Sequence, residues 1–342
     1  MKSKNISQQR IARDLGVSQA LVSLALNGKR ENISEDSYTR IWEYAVKRGY
    51  RPKGMQTNGR HLVTTNVGFI LRAGLRLYTQ SNFFSHVQHG LHEALHNQGY
   101  TTVFLGAEDH WDDDELKARL RRDNLFGVVI MGEVNERFVK QIRSVQSNLA
   151  VISATYPGLC HSVMPNDKQA LELLVEHLAR LGHKEFAWAG GNKGLKQNRI
   201  RRAAFEESLR DKGLPLQEGF AIDEPGGDRL DGRRIAEAIL KGRARKDVPT
   251  AWVCLNGLMA RGVINYLTQS NWRVPEEISV VAVDATRVCV DEHPEITGSN
   301  ANPEKMGAKA AEILLAVRQE QELVDVVLPA TLTVRETTAT VR

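Results

Sequence analysis

Residues 7–28 read SQQRIARDLGVSQALVSLALNG, two short helical patterns separated by a glycine. Ser7 is placed to cap a first helix that gathers Ile11, Ala12 and Leu15 on one side, and Gly16 is free to take the positive φ that ends a helix sharply. Ser18 is placed to cap the second. There Leu21, Val22, Ala25 and Leu26 fall on one stripe, which turns Gln19, Ala20, Ser23, Leu24 and Asn27 outward. Two helices joined in this way form a helix-turn-helix, whose second helix enters a DNA major groove by its outward positions. An amphipathic helical hairpin of no particular function has the same periodicity, so a second property must decide.

Charge decides it. Residues 1–61 hold 12 Lys and Arg against 5 Asp and Glu, whereas the rest of the 342-residue chain holds 34 against 36. The basic excess therefore sits entirely where phosphate neutralisation and counterion release can use it. A third helix is expected from about Ser34, with Ile41, Trp42, Ala45 and Val46 inward and Gly49 as its stop. The stretch from Lys53 to Thr65 is polar and lacks apolar periodicity, so it reads as a linker. The chain thus divides into a head over 1–52, a hinge or linker over 53–65 and a larger domain over 66–342.

In that larger domain, short apolar runs alternate with helical patterns. Strands are expected near Val67–Leu71, Thr102–Leu105, Gly127–Met131 and Ala150–Ser153, with helices near Phe83–Asn97, Asp113–Arg122 and Glu136–Gln146, which makes a βα-wound parallel sheet. A second series, with strands near Glu185–Ala189, Ala251–Leu255 and Ser279–Val283, makes a second lobe. The fold class is α/β: an all-α helix-turn-helix head followed by a two-lobed, doubly wound α/β domain.

Other functions find little support in the chain. No apolar run approaches the ~18 residues of a membrane span, and the N-terminus lacks the apolar core of a signal peptide. Cys160, Cys254 and Cys289 are odd in number and widely spaced, as free thiols in a reducing compartment would be. A cytoplasmic protein is expected. His86, His89, His92 and His96 recur at helical spacing, but no cysteine or carboxylate completes a metal set beside them, so a solvated or dimer-facing stripe is expected. No nucleophile, base and acid set appears either. Neither an enzyme nor a cofactor or metal is expected.

The chain resembles the LacI-type family of bacterial transcriptional regulators, which includes the lactose, galactose and purine repressors. In the head the resemblance rests on Ile11-Ala12, Leu15-Gly16-Val17-Ser18, Val22-Ser23, Leu26-Asn27-Gly28, Ile33-Ser34, Gly49-Tyr50 and Pro52. In the larger domain it rests on Leu181-Gly182-His183-Lys184, Ala189-Gly190-Gly191, Val274-Pro275, Ile278-Ser279-Val280-Val281 and Asp284. It implies a fold like that of the periplasmic binding proteins, with three crossings between lobes near Met164–Asn166, Ser299–Asn302 and Leu328–Ala330. Lobe 1 is then about 66–164 with 300–329, and lobe 2 about 165–299 with 330–342.

Open parallel sheets bind ligands beyond the carboxyl ends of their strands, which points to the cleft between the lobes. The resemblance implies effector contacts at Phe83, Phe84, Asp167, Arg201, Asn256 and Asp284. Arg donors, Asp and Asn acceptors and an aromatic face suit a sugar or sugar derivative. Each residue alone has a plainer reading: the Phe pair as core, Asp167 and Asn256 as helix caps. Gly257 and Ala285 stand where the family commonly has Asp, and Ala301 where it often has Gln. These departures keep open a regulator that has lost its ligand response.

In the head, the resemblance and the helical geometry together give Ser18, Gln19, Ala20, Ser23, Leu24 and Asn27 as the DNA-binding positions. Gln19 can bond adenine bidentately, while Ala20 and Leu24 suit a thymine methyl, so half-sites are expected to lean towards A·T. In the hinge, Gly59 aligns with the family's apolar lever residue, and Met55 or Leu62 could replace it only in another register, so weak operator bending is expected. Helix-turn-helix heads pair on two-fold related half-sites ~34 Å apart. The expected partners are therefore a palindromic double-stranded DNA operator, a sugar effector and a second copy of the chain, docked through the helices near Phe83–Asn97 and Pro303–Gln319, with no membrane. A solute-binding protein or a sugar enzyme on the same two-lobed fold is the alternative from another class.

Overall fold

The computed structural model describes residues 7–26, 33–47, 65–73, 82–123, 125–316 and 322–341. It divides into two compact units, residues 1–64 and 65–342. The sequence expectations for Asn27, Gly49, Met55, Gly59 and Leu62 lie outside the described residues.

In the first unit, α1 (Gln8–Leu15) begins at Ser7, whose hydroxyl accepts a hydrogen bond from the Arg10 backbone N–H, and ends at Gly16 with φ of 68°. Helix α2 (Gln19–Leu26) begins where the Ser18 hydroxyl accepts from the Leu21 N–H at 3.1 Å. Both caps satisfy donors that a helix start leaves unpaired. With α3 (Glu35–Lys47) the helices enclose a core of Ile11, Ala12, Val22, Ala25, Leu26, Ile41 and Ala45. The Trp42 indole N–H donates to the Ala25 carbonyl at 3.0 Å, and the Tyr44 hydroxyl donates to Asp14 at 2.7 Å. Leu21 is half-buried rather than fully inside.

The second unit holds two six-stranded sheets. Lobe 1 uses β1 (Asn66–Leu71), β2 (Thr101–Ala107), β3 (Gly127–Met131), β4 (Leu149–Ile152), β5 (His161–Pro165) and β11 (Asp325–Leu328) in the parallel order β11-β5-β4-β3-β1-β2. Lobe 2 uses β6 (Phe186–Gly190), β7 (Ala221–Asp223), β8 (Ala251–Cys254), β9 (Ser279–Ala282), β10 (Thr297–Asn300) and β12 (Thr331–Thr333) in the order β12-β10-β9-β8-β6-β7, where β12 alone runs antiparallel to its neighbour. Helices α4 (Asn82–His96), α5 (Asp113–Asp123) and α6 (Glu136–Arg143) belong to lobe 1, and α7 (Asp167–Arg180), α8 (Lys196–Asp211), α9 (Arg229–Leu240) and α10 (Gly257–Gln269) to lobe 2. Helix α11 (Pro303–Ala316) returns to lobe 1 and packs on α4. The chain changes lobe after β5, after β10 and after β11. Every residue of β3, β4, β6, β8 and β9 is buried, because helices cover both faces of a parallel sheet; this is why all of them but β9, which opens on Ser279, read as unbroken apolar runs.

Each lobe closes on a helix pair whose backbones nearly touch. A Cβ at Gly90 of α4 or Gly307 of α11 would lie 2.0 Å from a carbonyl of the other helix, and the same holds at 2.1 Å for Gly232 of α9 and 2.0 Å for Gly262 against α9. Strand β10, polar in sequence, is buried because distant groups satisfy it. Thr297 bonds Thr337 and Thr338, and the Ser299 hydroxyl donates to the Val283 carbonyl. No helix among the described residues is long and apolar enough to cross a membrane.

Candidate functional site

On the head, Ser18, Gln19 and Ala20 open α2 and are exposed. Ser23 and Leu24 were expected to face outward but are half-buried, because a helix of eight residues lying against two others leaves little of its circumference free. The exposed part of α2 is thus its N-terminal turn, the end by which a recognition helix meets base edges.

In the larger unit, the carboxyl ends of both sheets face one another across a cavity of about 340 Å³. Lobe 1 supplies Arg72 after β1, Gly132 and Glu133 after β3, and Ser153 after β4. Lobe 2 supplies Asn192 after β6, Asn256 after β8 and Asp284 after β9. Phe83 and Phe84, in the first turn of α4, also line it, with ring centroids 5.1 Å apart at 84°. Phe83 is buried in the lobe 1 core, whereas Phe84 is half-buried and keeps part of its surface free.

Five of the six residues named from the sequence, Phe83, Phe84, Arg201, Asn256 and Asp284, line this cavity. Asp167 does not; it lies behind the wall. Its carboxylate accepts a 3.0 Å hydrogen bond from Arg201 Nε and another from the Gln197 side-chain amide, so one buried anion holds two side chains that do face the cavity. Nor is Asp167 a helix cap: the side chain that caps α7 is Asn166, which accepts from the Gln169 N–H at 3.1 Å. Arg201 also donates to the Leu255 carbonyl at 3.0 Å. Asn256 both caps α10, accepting from the Met259 N–H at 2.9 Å, and donates to the Gly227 carbonyl at 2.8 Å. The capping reading holds for Asn256, and it fixes the side chain at the cavity wall.

Asp284 accepts a 2.9 Å hydrogen bond from the Gly257 N–H. Burial pushes the carboxyls of Asp167 and Asp284 above the ordinary carboxylate range, against the pull of Arg201 on both. Burial likewise lowers the Arg72 guanidinium, opposed by Glu108 and Glu133. The departures at 257 and 301 have packing causes. A Cβ at Gly257 would lie 2.7 Å from both Cys289 Sγ and Val288 Cγ1, and Ala301 packs in the lobe 1 core.

Arg72, Glu133, Ser153 and Gln197 were not expected from the sequence. A signal existed for the first three, since each directly follows or nearly follows a strand end. A second cavity, of about 570 Å³, adjoins the first and shares Glu133, Ser153 and Gln197 with it. It too lies between the lobes, with Tyr156, Leu159 and Met164 from lobe 1 facing Lys196 and Ile200 from lobe 2. The described residues contain no cluster of three or more metal-ligating side chains.

A family model described as a periplasmic binding protein-like domain matches residues 175–338. The HTH-type transcriptional repressor PurR of Aliivibrio salmonicida (strain LFI1238) is 25% identical over 311 residues, covering 89% of this chain and 90% of that protein. Catabolite control protein A of Streptococcus mutans serotype c is 25% identical over 324 residues, covering 92% and 91%. Among solved structures, the lac repressor dimer bound to operator and the anti-inducer ONPF superposes with a TM-score of 0.71 at 21% identity, covering 98% of this chain and all of that one. A LacI family regulator from Enterococcus faecium with bound ribose superposes with a TM-score of 0.68 at 22% identity, covering 81% of this chain and all of that one.

Proposed function

We propose that the chain is a LacI-type transcriptional regulator, a homodimeric, sequence-specific DNA-binding protein whose operator affinity is set by a sugar in the inter-lobe cleft. The observation that carries this reading is the convergence of Phe84, Arg201, Asn256 and Asp284 on one cavity, with Arg201 held in place from behind by Asp167. A guanidinium, an amide and a carboxyl beside an aromatic face can bind the hydroxyl edge and apolar face of one ring. That ribose occupies the Enterococcus faecium structure is consistent with this chemistry.

The coupling follows from geometry. A ligand touching both lobes favours one lobe arrangement over another, and that preference is the only source of a change in DNA affinity. The PurR relative is a transcriptional repressor, and this chain is not read as an enzyme. Gln19 and Ala20 are the proposed base-reading residues, with Ser18, Ser23 and Leu24 beside them. The α4 and α11 helices are the proposed dimer face. A second reading, a regulator without ligand response, draws on Gly257, where Cys289 and Val288 fill the space a longer side chain would need.

The test is selection of bound duplexes from a random library with the full chain, repeated with a panel of sugars. A two-fold symmetric motif whose enrichment changes with one sugar supports the proposal. A motif indifferent to all of them supports the unresponsive reading, and no motif at all contradicts both.

A further inference from the structure

The histidines of α4 line neither cavity, and the structure divides them into two kinds. His86 Nδ1 lies 2.5 Å from the Glu304 carboxylate of α11, so its ring is committed to the helix pair. His89, His92 and His96 are exposed. His92 and His96 stand one helical turn apart with their rings face to face, the centroids 5.7 Å apart and the planes 17° from parallel. Residues at i and i+4 are neighbours on a helix surface, and two histidines at that spacing are how a helix presents a pair of ligands to one zinc ion.

His92 is also oriented from behind. Its Nδ1 lies 2.9 Å from the Thr102 hydroxyl of β2. With the ring proton on Nδ1 and donated to that hydroxyl, Nε2 keeps the lone pair that a metal takes. Metal-bound histidines are held in this manner: a hydrogen bond to the other ring nitrogen fixes the tautomer and the ring plane. Among the described residues no third His, Cys, Asp or Glu joins the pair in a metal-sized cluster. The protein therefore supplies two imidazoles, and the rest of the coordination shell comes from outside. Imidazole nitrogen suits zinc, nickel and copper, whereas magnesium and calcium take oxygen ligands.

We propose that His92 and His96 form a surface site for a divalent transition-metal ion, bound through one ring nitrogen of each, with Thr102 as the positioning residue of His92. The site lies outside the cleft, so its failure leaves the sugar-sensing reading untouched. Helix α4 is also part of the proposed dimer face, which opens the remaining coordination positions either to water or to the same pair on a second copy.

The test is equilibrium dialysis of the full, untagged chain against nickel, zinc or magnesium chloride in a buffer that does not bind metals. It is run on the wild type and on His92→Gln, His96→Gln, Thr102→Val and His86→Gln, with the urea midpoint of each protein measured alongside. Saturable binding of nickel and zinc is expected, and none of magnesium. Either ligand substitution should weaken binding about tenfold or more and Thr102→Val about tenfold, as loss of an outer-shell partner does, while His86→Gln stays within about twofold of the wild type. One ion per chain means that water completes the shell, and one ion per two chains that a second copy does; both support the site. The proposal is overturned if no saturable binding is found, if magnesium binds as tightly as nickel, or if His92→Gln and His96→Gln bind as the wild type does. Thr102→Val binding at wild-type affinity overturns the positioning role.

Discussion

The carboxylate of Glu133, two residues beyond the end of β3 in lobe 1, accepts a 2.7 Å hydrogen bond from the backbone N–H of Lys196, the first residue of α8 in lobe 2. Residue 195, at the N-cap of that helix, is Leu, which makes no side-chain capping bond, and the first turn of α8 carries no acidic residue. One lobe therefore caps a helix of the other. An anion at a helix start also meets the positive end of the helix dipole. Losing a cap costs about 0.5–2 kcal/mol, so Glu133→Ala is expected to shift the lobes towards a more open arrangement, seen as a larger radius of gyration in solution scattering without ligand. Glu133→Gln, which keeps an acceptor oxygen, should stay closer to the wild type. Identical radii for all three proteins would rule the latch out.

Asp167 and Arg201 are both almost fully buried, at 4% and 8% exposed. Removing one partner strands the other charge, so Asp167→Ala is expected to cost about 3–5 kcal/mol in urea unfolding. The double substitution Asp167→Leu with Arg201→Met should recover most of that loss while leaving sugar binding abolished. If the double variant is no more stable than the single one, the pair is not the source of the penalty.

His183 bonds Thr250 at 2.9 Å and Ser279 at 3.0 Å, and burial pulls its imidazole down to about 4. In the unfolded chain it titrates near 6.5. Between those values the unfolded state binds the extra proton, so this residue makes stability fall as pH drops from about 6.5 towards 4. Urea midpoints near neutral pH and near pH 5 should differ for the wild type and differ less for His183→Gln. An unchanged difference would assign the slope to other groups.

Gly257 shows how packing overrides a family preference. Gly257→Asp is expected to destabilise the chain by about 1–3 kcal/mol through overpacking, because its Cβ would meet Cys289 and Val288 at 2.7 Å. Adding Cys289→Gly, which removes one of the two contacts, should relieve part of that cost. Thermal midpoints of the two variants check it, and a stable Gly257→Asp single variant would contradict the contact.

The parts legible in the sequence were those where local pattern and tertiary demand agree. Ser7, Gly16 and Ser18 mark helix ends by their own chemistry, and β3, β8 and β9 announce burial by apolar runs. Strands β5 and β10 were missed because their polar side chains are satisfied by residues far along the chain, Ser162 by Asp325 and Thr297 by Thr337. At the cleft, the family resemblance pointed to Arg201 and Asp284, but only the fold shows that Asp167 stands behind Arg201. Glu133 and Ser153 lie in turns after strands, where no periodicity points to them, and the partner of Glu133 belongs to the other lobe.

The central claim is that the cleft governs the head, and the most direct measurement is the affinity of the full chain for its selected operator with and without a sugar shown by calorimetric titration to bind, in the wild type and in the double variant Asp167→Leu with Arg201→Met. The account predicts a change of about 5- to 150-fold in the wild type, the usual range of coupling between two sites, and none in the variant, whose affinity without sugar should match the wild type. An operator affinity that the bound sugar leaves unchanged in the wild type would contradict it.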